Sequence, residues 1–310
     1  MKRKRTKKTL IIAIVVMLAL VAASAGWIIH RGNELNIARA EEEAARAEEE
    51  AKRIAEEEAA AKKAAEDAAI ASHVYSHRGS AGPEEHSFKA YDAAIEAGSQ
   101  YIEPDVVITS DGVLYVSHDL NAVTMTGYNG MYEYLSSETV DGLTTEAGNK
   151  VLRLSEVFDK YGRDIHYVIE LKPHSDACVE AFEKLVDESG LSDVITVQSM
   201  YPDVLETLEE KYPDMPKLYV CWSQGDFEYV VDKPYVDIIS VKAAAGLMTQ
   251  ENCDATHENG KMFSAWTLDS EETIKKAIDM GVDTYFTNDT PLALKLEREY
   301  GLNEGRRGGQ

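Results

Sequence analysis

The stretch IEPDVVITSDGVLYVSHD, residues 102–119, sets Glu103, Asp105, Asp111, His118 and Asp119 into otherwise apolar, β-branched sequence. Successive strand side chains alternate faces, so Glu103 and Asp105 share one face and Pro104 takes the other. A two-residue Asp111-Gly112 turn would close a hairpin in which paired positions sum to 223, with Asp105 opposite His118. Two like charges on one buried face repel and are costly to desolvate unless a cation lies between them. Oxygen ligands of this kind suit Mg²⁺ or Ca²⁺ better than zinc. Two further fragments extend the set. VYSHRG (74–79) carries His77 and Arg78 at the exit of a strand, and VIELK (168–172) puts Glu170 and Lys172 on one face. The inventory is then three carboxylates for one divalent metal (Glu103, Asp105, Glu170), two histidines for proton transfer (His77, His118), and Arg78 with Lys172 for an anion. Such a set suits metal-assisted cleavage of a phosphate ester. The bland alternative is a solvated edge strand with its acids in water.

The elements that must position these groups follow from periodicity. Strand-like runs occur at 73–76, 101–109, 113–117, 165–171, 194–199, 217–222, 236–241, 262–267 and 282–287. Helical signals lie between most of them, as at 83–98, 154–162 and 269–281, the first and last closing on a glycine. The alternation predicts an α/β fold with a parallel sheet and outer helices. Counting 113–117 as a hairpin arm leaves eight βα units, a TIM (β/α)₈ barrel with its chemistry at the carboxyl ends of the strands. Residues 119–150 form a small insertion after the His118-Asp119 strand, at that catalytic end. Tyr128, Tyr132 and Tyr134 are expected to pack its core.

The chain of 310 residues is not uniform. Residues 1–9 hold six Lys or Arg, and residues 10–29 hold no charge over a length that spans a bilayer. This predicts a basic cytoplasmic tail and a single transmembrane anchor with the remainder exported to the outer side of the cell membrane. A cleaved signal peptide ending near Ala23-Ser24-Ala25, giving a secreted protein, is the competing reading. Residues 30–72 are rich in Ala, Glu, Lys and Arg without a heptad seam, and predict a solvated helical stalk. The barrel is expected over 73–304 and a disordered tail over 305–310. The formal charge is −23; with six basic residues in 1–30, and seven basic against twelve acidic in 31–72, residues 73–310 carry −24. A surface this acidic argues against nucleic acid as a partner, and an anionic substrate must bind where a metal or local cations reverse the field. Cys178, Cys221 and Cys253 show no metal spacing or disulfide framework and are expected as buried free thiols.

In order along the domain stand SHRG (76–79), PEEH (83–86), EPDVVITSDG (103–112), SHD (117–119), IELK (169–172), AWT (265–267) and GVDTYFTND (281–289). This series resembles the glycerophosphodiester phosphodiesterase family, whose pattern runs HRG, a Pro-Glu-Asn-Thr turn, ExDV, TxDG, HD, ExK, WT and a closing GVD…TD. The resemblance covers essentially all of 73–300. It implies a barrel, a divalent cation (Ca²⁺ or Mg²⁺), and hydrolysis of a glycerol-bearing phosphodiester to glycerol 3-phosphate and an alcohol. It makes Glu103, Asp105 and Glu170 the metal ligands, His77 and His118 the acid–base pair, and Arg78 and Lys172 the phosphate holders. Trp266 becomes a wall for the glycerol, or else a core aromatic. Attack by the neighbouring glycerol hydroxyl to give a cyclic phosphate is implied in the same way.

Two departures stand out. In PEEH, Glu84 is retained but Asn and Thr of the turn become Glu85 and His86, and Asn288 stands where the family has Asp, with Asp289 one place later. His86, His166, His174 and His257 have no motif context and are expected as surface or packing residues. Two other activities remain open on the same barrel. One is cleavage of lysophospholipid or sphingolipid headgroups or of a glycerol-phosphate polymer; the other is a non-catalytic surface module.

Overall fold

In the computed structural model, the described residues are 74–79 and 85–300, together with Met17, Arg46, Lys52 and Arg53. The chain divides into two units, Met1–Ile70 and Ala71–Gln310, and every strand belongs to the second. The expected anchor and stalk, those four residues apart, and the tail 305–310 lie outside the described residues. Among the described residues, no helix is long and apolar enough to cross a membrane.

Among the described residues, ten strands form the sheet: β1 (Val74–His77), β2 (Tyr101–Glu103), β3 (Asp105–Ile108), β4 (Leu114–Val116), β5 (His166–Leu171), β6 (Ile195–Ser199), β7 (Lys217–Cys221), β8 (Ile238–Lys242), β9 (Met262–Trp266) and β10 (Thr284–Thr287). The parallel pairings run β1-β2-β5-β6-β7-β8-β9-β10 and return to β1, which closes an eight-stranded barrel. The β2–β5 and β3–β5 pairings keep one register, Tyr101 with His166 and Asp105 with Glu170, so β2 and β3 are a single strand interrupted at Pro104. The strands fall where periodicity expects them, as do the helices Leu154–Tyr161 and Glu271–Met280.

Side chains along the strands pack alternately into the ring and out against the helices, and this decides what the barrel mouth receives. Tyr75, Val168, Leu218, Val220, Ile238 and Phe286 pack together inside the ring. Their strand neighbours Val74, Tyr167, Ile169, Tyr219, Ile239 and Tyr285 pack outward against the helices. Continuing the inward parity to the carboxyl ends delivers His77, Glu103, Glu170, Lys172, Gln198, Trp222, Lys242, Trp266 and Asn288 to one rim.

The hairpin corrects one expectation. β3 and β4 pair Val106 with Val116 and Ile108 with Leu114, so paired positions sum to 222. The loop is Ser110-Asp111-Gly112, closed by Gly112 N–H donating to the Thr109 carbonyl at 3.0 Å, with Gly112 at φ +80°. Three-residue hairpins with a left-handed glycine are the next choice after two-residue turns. Asp105 therefore lies opposite Ser117, whose N–H donates to its carbonyl at 2.9 Å. Asp111 is a turn residue: Ser137 and Thr109 donate to its carboxylate and hold its pKa down at about 2. The insertion then builds its own small core from Val107, Tyr115, Ala122, Tyr132, Val140 and Val151. Tyr132 packs there as expected, whereas Tyr128 and Tyr134 are exposed. The three cysteines are free and buried.

The turn after β1 is tight. Arg78 (φ +55°) and Gly79 (φ +101°) both adopt the left-handed region, and a Cβ on Gly79 would meet the Ala90 Cβ at 2.5 Å. Helix Phe88–Glu96 is thereby seated directly on the turn that holds His77 and Arg78. Gly79→Ala is expected to lose at least about 2 kcal/mol of stability, since strain and overpacking add at one place. Urea denaturation of parent and variant measures it.

Candidate active site

The carboxyl rim surrounds a small cavity of ≈ 60 Å³ lined by His77, Arg78, Glu103, His118, Glu170, Lys172, Gln198, Trp222 and Trp266, among others. Most residues that the sequence assigns to the site therefore line one cavity, and Asp105 lies directly behind it. His118 arrives by a different route from the one expected. β4 ends at Val116, so the imidazole projects from the connection beyond the strand instead of from a paired position.

Glu103, Asp105 and Glu170 are buried, with one oxygen from each lying within 4.8 Å of the others. Gln198 Nε2 donates to Glu103 Oε1 at 2.6 Å, and the Arg78 amide donates to Oε2 at 2.9 Å. Even so, burial, and then Asp105 and Glu170, push the Glu103 pKa well up. Burial and the Asp105 charge likewise raise Glu170 to about 7. Asp105 goes the other way. Burial would raise it, but Lys172 Nζ at 3.0 Å, His86 Nε2 at 2.9 Å and Arg78 Nε at 3.3 Å hold its pKa well below the usual range. Lys172 also reaches Glu170 Oε2 at 2.8 Å; burial opposes its charge, but the two carboxylates outweigh that and raise its pKa. Glu170 Oε1 is buried and makes no hydrogen bond. An oxygen-only, three-carboxylate set with an unsatisfied inward oxygen fits a hard divalent cation.

The two imidazoles have different partners. His77 Nδ1 is 2.7 Å from Asn288 Oδ1, while the Asn288 amide nitrogen donates to Asp269 Oδ2 at 2.8 Å. That amide orientation makes Oδ1 an acceptor, so His77 carries its proton on Nδ1 and keeps a lone pair on Nε2. Burial, and then the Arg78 charge, lower the His77 pKa to about 4. His118 Nδ1 instead faces the Asp119 carboxylate at 2.8 Å.

Of four further contributors, Gln198 and Trp222 escaped the motif reading, while Asn288 and His86 entered it only as departures from the family pattern. Gln198, Trp222 and Asn288 follow from extending inward strand parity one or two residues further. His86 is the fourth: it is 1% exposed, with Nε2 on Asp105 and Nδ1 at 3.1 Å from the Tyr91 hydroxyl. Ser87, not His86, caps helix Phe88–Glu96 through the Ala90 N–H. Thr at the end of the Pro-Glu-Asn-Thr turn is also a capping residue type, so the match runs better as Glu85-His86-Ser87. Read this way, His86 replaces an Asn. The other three histidines pair at the periphery: His174 with Asp203, His257 with Asp283, and His166 with the Tyr101 ring.

The family profile described as glycerophosphoryl diester phosphodiesterase family matches residues 77–292. The chain belongs to this family. It is thereby a phosphoric diester hydrolase. It is 24% identical over 254 residues to a glycerophosphodiester phosphodiesterase of Bacillus subtilis (strain 168), covering 72% of this chain and 86% of the relative. It is 25% identical over 241 residues to one from Caldanaerobacter subterraneus subsp. tengcongensis, covering 74% and 98%. Among solved structures, a phosphodiesterase of Oleispira antarctica in complex with the product sn-glycerol-3-phosphate matches with a TM-score of 0.63 at 19% identity, covering 74% and 97%. A glycerophosphodiester phosphodiesterase from Agrobacterium tumefaciens str. C58 matches at 0.63 and 22%, covering 73% and 99%. These likenesses carry the barrel fold.

The carboxylate cluster makes a signed prediction for the cation-free protein. The folded Glu170 pKa of about 7 lies above its ordinary 4.5. Its stabilising share is therefore complete below about 4.5 and lost as pH rises through about 7. His77, lowered from 6.5 to about 4, contributes the opposite slope over nearly the same window. The two nearly cancel in the parent. The difference in unfolding free energy between parent and Glu170→Gln, measured with chelator, is expected to shift against the parent by up to a few kcal/mol from pH 4.5 to 7. A flat difference would mean Glu170 is ionised throughout.

Proposed function

We propose that the domain hydrolyses glycerophosphodiesters to glycerol 3-phosphate and an alcohol, with His77 as general base and His118 as general acid beside one divalent cation. The observation that carries this reading is the pairing of the two imidazoles: one has a fixed free lone pair beside a neutral amide, the other a carboxylate partner. A base must accept a proton at neutral pH, and a buried imidazole with its pKa lowered to about 4 is in the accepting form there. A carboxylate on Nδ1 of the acid fixes the ring's orientation and leaves Nε2 to face the departing oxygen.

Glu103, Asp105 and Glu170 would hold the cation, which when bound polarises phosphate oxygens and offsets their charge. Lys172 and Arg78 then face a phosphoryl group instead of bare carboxylates, and orient it for in-line displacement. The Nε2 of His77 takes the proton of the attacking hydroxyl, and the Nε2 of His118 protonates the departing alcohol. Trp266 supplies an apolar wall against which the glycerol carbons rest, anchored by its indole N–H donating to the Ser240 carbonyl at 3.1 Å. The proposed location, outside the cytoplasm and tethered through 10–29, rests on the basic tail and uncharged run alone; protease accessibility on intact cells tests it.

His77→Gln and His118→Gln are each expected to lower kcat/KM on glycerophosphocholine by at least about 100-fold with the circular dichroism spectrum unchanged. Chelator should abolish activity, and Ca²⁺ or Mg²⁺ should restore it. A panel of glycerophosphocholine, lysophosphatidylcholine and a glycerol-phosphate polymer fixes the substrate class, and turnover of lysophosphatidylcholine alone would overturn the proposal. Asn288→Asp places a carboxylate on His77 Nδ1, which favours imidazolium. The acid limb of the kcat/KM profile should then move up from about 4 toward the ordinary histidine range.

A further inference from the structure

Lys242 closes β8 at the carboxyl rim of the barrel and is not used by the chemistry above. β7 and β8 pair Cys221 with Val241, and β8 and β9 pair Lys242 with Trp266. Trp222, Lys242 and Trp266 therefore stand side by side on three adjacent strand ends, all with inward parity. The two indole rings meet edge to face, 4.8 Å apart, and both line the cavity that holds His77, Glu170 and Lys172. The Lys242 ammonium sits 3.9 Å from the Trp222 ring centroid and 5.4 Å from that of Trp266.

What this ammonium lacks is informative. Lys150, Lys160, Lys211 and Lys275 each pair with a carboxylate. Among the described residues, the Lys242 side chain makes no ion pair or hydrogen bond, although residues 73–310 carry a charge of −24. Aromatic faces hold a cation by their quadrupole and leave its N–H groups free to donate. The result is an oriented cation with open donors at the mouth of the site.

Its place on the ring says which end of a substrate it meets. β8 is four strands from β2 in either direction, so Lys242 stands across the mouth from Glu103. The backbone ring is roughly 15 Å wide for eight tilted strands. Across it, the aromatic wall proposed for the glycerol lies on the Lys242 side, and the phosphate-holding Arg78 and Lys172 lie on the other. Two anionic groups joined through one glycerol stand roughly 6–7 Å apart, from six bonds of about 1.5 Å in a zigzag.

We propose that Lys242, held between Trp222 and Trp266, is a subsite for a second anionic group on the glycerol side of the substrate. The group would be a phosphate or carboxylate on the carbon remote from the scissile ester. The proposal rests on the phosphodiesterase reading of the site. It makes diesters with an anionic glycerol preferred substrates, and it fixes their orientation.

The test uses glycerophosphoglycerol bearing one terminal phosphate, and the same diester with a terminal carboxylate in its place. Water addition across the scissile P–O bond gives a phosphomonoester and an alcohol in either binding orientation, but the products differ. With the phosphorylated glycerol on the Lys242 side, the products are glycerol bisphosphate and free glycerol. In the reverse orientation they are two glycerol monophosphates.

The parent is expected to give mainly glycerol bisphosphate and glycerol. Lys242→Met should raise KM on this substrate about tenfold or more, and shift the products toward two monophosphates. Lys242→Arg should retain the parent pattern, and kcat/KM on glycerophosphocholine should stay within about twofold in both variants. A parallel KM effect on the carboxylate analogue means the subsite reads charge, and its absence means it reads phosphate; both support the assignment. Equal losses on glycerophosphocholine and the phosphorylated diester would overturn it, because Lys242 would then only prop the tryptophans. An unchanged product ratio in Lys242→Met would also overturn it. A parent inactive on every diester would defeat the phosphodiesterase reading instead, an outcome distinct from either.

Discussion

Three carboxylates buried within 4.8 Å of one another cannot all ionise without nearby positive charge, and the rim of this barrel is organised around that requirement. The surrounding bases divide unevenly. Lys172, His86 and Arg78 converge on Asp105, which stays ionised, while Glu103 and Glu170 are pushed toward protonation. The protein thus prepares one firm anion and two reluctant ones, and a bound cation would turn the reluctant pair into ligands. The Arg78 turn, its left-handed backbone and the close seat of Ala90 on Gly79 all serve to aim one amide and one guanidinium at this cluster.

The same positive charges reach the imidazoles. Arg78 is next to His77 in the chain and helps to hold it neutral, after burial. Asn288, a neutral amide, does not restore the charge that a carboxylate there would favour. His118 lies in a more open position with Asp119 as its partner, so two identical side chains have different surroundings, which is what suits them to the opposite tasks proposed. The groups proposed to hold phosphate and those proposed to move protons are therefore one electrostatic system.

Much of this was legible from spacing. Period two along strands gives Glu103 with Asp105 and Glu170 with Lys172 on single faces, and the barrel follows from eight βα alternations. The hairpin register was not legible, because Asp-Gly serves both a two-residue turn and a three-residue loop with a bulge. Thr109 decided for the longer loop by closing onto Val113, a choice made by backbone hydrogen bonds that composition does not display. Residues without strong motif types were also hidden. Gln198 and Trp222 needed the inward parity of β6 and β7 to be fixed first. His86 required the helix start at Ser87, which neighbouring Glu85 obscured.

The hairpin carries a consequence for how the site can change. His118 is mounted beyond β4, and the insertion that follows has a separate apolar core, while the carboxylates and His77 are mounted on ring strands sharing the main core. The groove beside His118 is bounded by Asp119, Thr124, Met125, Thr145 and Glu146, all from that insertion, and by Glu85 and His86 from the loop after β1. In the proposed orientation, the side that would meet the departing alcohol is built largely by a module attached to the ring, and the side that would meet glycerol and phosphate is the ring itself. Exchanging 120–150 would alter chiefly the first, so on this reading variation in the alcohol is easier to accommodate than variation in the glycerol phosphate.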